Sequence, residues 1–324
     1  MLLVPIQSFA SQPATGTVIS QGTKFKLETL SQQQSNQVQA LAKQMQKPMQ
    51  ERKRKMVLNY SGSWDNVYEI FDQALLTVLL SDEYLAYDYR GYSYTMLENN
   101  GKKTIEVEMM YYQTTNQVQY VQQKVKEIVR QQTNSSMTAH EKVKVLHDYV
   151  VDNVSYDYSM NQGVNAAYYA IKNGQTLCNG YAMMTYLLLK EAGIEARLIS
   201  GSAGSGEAFE YHAWNLVKLD GQWFHLDTTW NDYDDGIIRY NYYLMSDATM
   251  RLDHDWYKGG LNGNERNYPV ARNDYFKWLQ SDEMKEPLEL FNMWRDPQQT
   301  ATSEQQFNQL LEAGFNKLQP EVTV

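Results

Sequence analysis

GQTLCNGYA, residues 174–182, holds Cys178, the single cysteine of the chain. A glycine-containing loop leads into it. Ala182, Met183, Tyr186, Leu187, Leu188 and Leu189 then run nearly all round a helix, and a helix apolar on every side is a buried one. Gly193 is its natural stop. The thiol is therefore expected at the first turn of a core helix, at the positive end of the helix dipole and beside N–H groups that lack intrahelical partners. Both features favour thiolate over thiol. The same N–H groups suit an oxyanion on an attacked carbonyl. Glycines at 174 and 180 let backbone and substrate approach closely. A lone cysteine is also commonly a small buried hydrophobe, so this stretch alone leaves both readings open.

Downstream, EARLIS (195–200), HAWNLVKL (212–219) and QWFHLD (222–227) read as strands. Asp220-Gly221 joins the last two as a two-residue turn. That turn pairs Leu219 with Gln222. Carried back along the hairpin, the register sets His212 opposite Thr229 and Asp227 opposite Trp214. Positions 227 and 229 share a face, so His212 and Asp227 are diagonal neighbours with Cβ atoms roughly 7 Å apart. His225 lies on the same face, and the register leaves both histidines open as partners of Asp227. A thiol at a helix start, followed by a hairpin with imidazole and carboxylate on one face, supplies nucleophile, base and orienting acid.

LCNGYAMMTYLLLKEAGIEARLISG (177–201) and YHAWNLVKLDGQWFHLDTTWND (211–232) resemble the transglutaminase-like group of the papain-like cysteine-enzyme superfamily, particularly its bacterial members. The shared motifs are C-x-G-Y-A, H-A-W-N and D-G-x-W-x-x-x-D-x-T-W. Lys142, His147 and Tyr149, the SYD at 155–157, and YLMSDATM (243–250) with His254 and Trp256 fit the same group. The resemblance implies Cys178 as nucleophile, His212 as base and Asp227 as orienter. It selects His212 over His225. It also implies a cysteine-dependent acyl transfer or hydrolysis on protein or peptide amides through a thioester, with cell-wall peptides among the possible substrates. The other reading is an inactive cell-envelope binding or structural module on the same fold. Neither a cofactor nor a metal is expected.

Gly180, Trp214 and Trp230 are the expected substrate contacts, with core packing of the hairpin as the alternative role for the tryptophans. GSAGSGEAFE (201–210) reads as a mobile loop, a flap leading into His212. NDYDDG (231–236) reads as an acidic surface turn, since it lacks the later Glu of a Ca²⁺ loop.

The expected architecture is α+β: a papain-like core with the cysteine helix packed on an antiparallel sheet, a small α+β N-terminal domain, and a mostly helical C-terminal segment. Residues 1–55 read as a signal remnant followed by a Gln-rich linker or loose helix, with a basic run at 51–55 on a solvated edge. Order is expected from Met56. Residues 56–132 form the small domain, with a helix over 65–80, a hairpin about Asn100-Gly101 and a helix through about 131. The catalytic domain is 133–260. Its first helix opens on a capping box, Thr138 with Glu141, and a short helix at 166–173 ends at Gly174. Residues 261–324 follow, with a last helix from Ser303.

The net charge of −9 over 324 residues argues against nucleic acid as a partner. One cysteine allows no internal disulfide. No stretch approaches the roughly 18 apolar residues of a membrane span. The opening MLLVPIQSFA suggests the end of an export signal, and so a secreted or envelope location.

Overall fold

The computed structural model describes residues 15–19, 30–205, 208–256 and 268–279. They divide into two compact units, one running to Thr115 and the other from Asn116. The expected signal remnant at 1–10 and the helix from Ser303 lie outside the described residues.

In the first unit, β1 (Thr15–Ile19), β2 (Lys55–Tyr60), β3 (Tyr89–Asn99) and β4 (Lys102–Tyr111) form an antiparallel sheet in the order β1-β3-β4-β2. The β3–β4 hairpin turns at Asn100-Gly101, both at positive φ, the conformation a two-residue turn needs. The helices are α1 (Gln32–Gln50), α2 (Val67–Ser81) and α3 (Glu83–Asp88).

Order begins earlier than Met56, because the Gln-rich stretch is a full helix. Ser31 and Gln34 close a capping box at its start, and Val38, Leu41, Ala42, Met45 and Met49 are buried on one face. The basic run is likewise not wholly solvated. Arg52 is 4% exposed and its Nε meets Asp88 Oδ2 at 2.5 Å. Its guanidinium lies over the rings of Tyr84 and Tyr111.

The second unit opens with α4 (Thr115–Gln132), one element earlier than expected. Tyr120 on α4 meets Tyr168 edge-on, with ring centroids 5.6 Å apart. Next come α5 (Ala139–Asn153), capped by Thr138 and Glu141, β5 (Ser155–Tyr156), α6 (Ala167–Asn173), β6 (Gln175–Thr176) and α7 (Cys178–Glu191). Gly174 closes α6 with φ 63°, and β5 and β6 pair in parallel.

Strands β7 (Glu195–Ser205), β8 (Ala208–Leu219), β9 (Gln222–Leu226) and β10 (His254–Trp256) form an antiparallel sheet in the order β10-β7-β8-β9, and α8 (Asp247–Met250) precedes β10. Helix α9 (Tyr275–Leu279) is the last element described. The described residues of the expected flap, 201–205 and 208–210, are instead strand, with β7 and β8 paired out to Ser205 and Ala208. Gly201 is needed there, because a Cβ at that position would lie 2.0 Å from the carbonyl of Asp255 on β10.

Helix α7 buries Tyr181, Ala182, Met183, Met184, Leu188 and Leu189, as its all-round apolar pattern requires. Trp214, Ile199, Leu216, Met250, Trp256 and Ala271 form a core cluster on the sheet. The fold is therefore the α+β papain-like arrangement, a cysteine helix with an antiparallel sheet.

Candidate active site

The β8–β9 hairpin keeps the register that its turn dictates. Asp220 and Gly221 both take positive φ, and pairing runs from Leu219 with Gln222 back to Asn215 with Leu226. His212 lies three residues before this ladder and Asp227 just after it. Their side chains meet, with His212 Nε2 2.6 Å from Asp227 Oδ2. Cys178, on the first turn of α7, lies close enough to the same imidazole to favour its charged form. Sulfur, ring and carboxylate are thus brought together, with the three residues 6%, 5% and 0% exposed.

Asp227 is held from every side. Its Oδ1 accepts the backbone N–H groups of Thr229 at 2.9 Å and Trp230 at 3.2 Å. Its Oδ2 accepts a second imidazole, His254 Nε2, at 3.1 Å. Burial would push the carboxyl up, but the charge and hydrogen bond of His212, with help from His254, hold it well below the usual carboxylate range. Burial likewise opposes charge on His212. Asp227 and Cys178 overcome that opposition and raise it above the ordinary imidazole value.

His225 takes a different place. Its Nδ1 accepts from Trp214 Nε1 at 2.9 Å, so its Nε2–H donates to Asp247 Oδ1, also at 2.9 Å. Burial lowers it below the usual value. This ring is a neutral brace between β8, β9 and α8, and the ambiguity in the register falls to His212.

Trp214 is only 1% exposed and stacks on His212, with centroids 5.6 Å apart and planes 19° apart. It backs the imidazole and presents no open face to a substrate. Trp230 is partly buried and stands at the edge of the site, 5.8 Å from the His212 ring and 4.5 Å from His254. Gly180 does not open onto substrate either. A Cβ there would lie 2.0 Å from Thr176 Oγ1, so the glycine lets α7 begin hard against β6.

Several residues around the thiol are given no individual role by the sequence. Asn165, 4% exposed, grips the first turn of α7: its Oδ1 accepts Gly180 N–H at 3.2 Å and its carbonyl accepts Asn179 Nδ2 at 3.0 Å. Tyr156 lies close enough to Cys178 and Glu210 for their charges, after burial, to push its hydroxyl up to about 12. Asn231 bridges His147 Nε2 and the backbone N–H of Tyr242. In the acidic turn, Asp232 is an anchor, accepting from Tyr181 at 2.5 Å, while Asp235 pairs with Arg239.

His212, Asp227 and His254 place three potential donor atoms within 4.8 Å of one another. Both Nε2 atoms direct hydrogen bonds at the carboxylate. Among the described residues, no helix is long and apolar enough to cross a membrane.

Comparison with known proteins matches residues 122–228 to the transglutaminase-like superfamily. The human kyphoscoliosis peptidase is 28% identical over 116 residues, 32% of this chain and 18% of that protein, so the chain spans under a fifth of its curated relative. A solved TGase structure shares 16% identity, covering 57% of each chain with a TM-score of 0.30. The periplasmic domain of TgpA from Pseudomonas aeruginosa shares 12% identity over 45% of this chain and 74% of that one, with a TM-score of 0.30. The chain carries a domain of the transglutaminase-like superfamily.

Proposed function

We propose that the protein is a cysteine-dependent acyltransferase or hydrolase acting on protein or peptide amides. Cys178 is the nucleophile, His212 the base and Asp227 the orienting acid. The observation that carries this reading is the single imidazole shared between the thiol of Cys178 and the carboxylate of Asp227. Asp227 takes Nε2 of the ring, which leaves Nδ1 to exchange a proton with sulfur.

In the first half-reaction Cys178 gives its thiol proton to His212 and its sulfur bonds to the amide carbon. The C–O π electrons move to oxygen, and the first-turn N–H groups of α7 are suited to receive that charge. On collapse the C–N bond breaks and His212 protonates the leaving ammonia or amine, which leaves a thioester. Water or a second amine then attacks the thioester, passing its proton to His212, and the C–S bond breaks to restore the thiol.

The test offers glutamine-bearing peptides, and wall-derived peptides in parallel, with and without a labelled primary amine, and follows them by mass spectrometry. Deamidation, amine incorporation or backbone cleavage that disappears in Cys178→Ala supports the reading and identifies the outcome. Unchanged peptides in every arm, with Cys178 no more reactive to alkylation than a model thiol, would favour a binding module on this fold.

A further inference from the structure

We propose that His254 is a positioning residue for this chemistry, a second histidine that clamps Asp227 and, as a cation, sets how strongly Asp227 acts on His212. The inference rests on the acyl-transfer reading above.

The geometry starts from the acceptor capacity of Asp227. A carboxylate offers about four lone-pair sites. Two backbone N–H groups meet Oδ1 and two imidazoles meet Oδ2, so each site has a donor. His254 is itself held at both nitrogens, by Asp227 at Nε2 and by Asp253 Oδ1 at Nδ1, the latter at 2.5 Å. A neutral imidazole has one N–H to give. A ring that satisfies two carboxylates donates twice and is an imidazolium.

Asp253 is fixed in turn by the hydroxyl of Tyr242, 2.6 Å from its Oδ2. The rings of Trp230, at 4.5 Å, and Trp214, at 5.1 Å, close round the imidazole, which is 1% exposed. The remaining titratable neighbours are His212, which opposes the charge, and His225 on β9, which its hydrogen bonds make neutral. Arg251 lies over Trp256 at 3.9 Å. Burial works against the imidazolium, yet the two carboxylates raise His254 above its ordinary value.

A cation on one side of Asp227 weakens its pull on the imidazole at the other. Without that cation, Asp227 would act on His212 alone and the thiolate–imidazolium pair would persist to higher pH. A purely structural prop would not move that pH.

The experiment is the pH profile of Cys178 alkylation by iodoacetate, an anionic reagent favoured while His212 keeps its proton. It is run on the wild type, His254→Gln and Asp253→Asn. Gln keeps an amide donor without charge, and Asn removes the anion that holds the His254 proton. In both variants the alkaline inflection is expected to rise by about one pH unit. The partly exposed Asp253 keeps the test open if His254→Gln fails to fold, as judged by circular dichroism. Two inflections in the wild type that stay in place in the variants would overturn the role of His254 alone. One inflection in the wild type, that of an unpaired thiol, would overturn the parent reading and this inference with it.

Discussion

Asn215 ties the strand that carries the base to the helix that carries the nucleophile: its Nδ2 donates to the carbonyl of Ala182 at 3.0 Å. Ala182 is one turn after Cys178, and Asn215 is three residues after His212. Asn215 is fully buried. Replacing it with Leu keeps the approximate volume but removes the tie. The expected cost is about 1–3 kcal/mol, read from the urea midpoint, together with slower Cys178 alkylation. Wild-type alkylation in a destabilised variant would show that packing alone sets the spacing of sulfur and imidazole.

Gly180→Ala tests the start of the same helix. The new methyl would sit 2.0 Å from Thr176 Oγ1, and Thr176 is itself fixed by a 2.6 Å hydrogen bond to the carbonyl of Val164. Overpacking of this kind costs about 1–3 kcal/mol. Because Cys178 is two residues away, its alkylation is expected to fall as well. Adding Thr176→Ala should recover part of both losses. A Gly180→Ala protein with wild-type Tm and thiol reactivity would mean that the turn adjusts freely.

The register that joins His212 to Asp227 was legible because a two-residue turn at positive φ fixes strand pairing residue by residue. Buried helices with strong periodicity were equally plain, as in α7. Helix α1 was obscured by its glutamines, although Val38, Leu41, Ala42, Met45 and Met49 already traced a helical face. Strand β10 was hidden for another reason. It is three residues long and exists through pairing with β7, about fifty residues earlier. His254 was named with the family resemblance, but its contact with Asp227 was hidden, since the two belong to separate segments that only the folded sheet brings together. The flap was misread because glycines that permit close strand contact look, in sequence, like loop glycines.

Stability should peak near pH 6.5, the ordinary histidine value. His140, His147 and His225 are lowered by burial. Each favours its neutral form in the folded chain, so its contribution is full above 6.5 and declines as pH falls below it. His212 and His254 are raised. Their contribution is full below 6.5 and is lost as pH rises through their folded values. Thermal unfolding across the range should give a dome-shaped Tm profile, and His212→Gln should flatten its alkaline side while leaving the acid side. A monotonic profile would contradict this pairing of the buried histidines.

Asp227→Asn offers the sharpest test of the site, because the backbone dictates which way the amide turns. Thr229 and Trp230 present N–H groups where Oδ1 now sits, so the amide oxygen must stay there. The NH₂ then faces the Nε2 atoms of His212 and His254, which can meet it only as acceptors. His212 is thereby driven to carry its proton on Nδ1, the nitrogen left for Cys178, and in that tautomer it cannot take the proton of the thiol. The fold should survive, since shape and backbone hydrogen bonds persist. The alkaline inflection of Cys178 alkylation should fall, and turnover of any amide substrate should drop by about 10²–10⁴. Nitrogen-15 NMR of the imidazoles would report the tautomer directly. Retention of Nε2–H on His212 in this variant would mean that Asp227 does not set the state of the base.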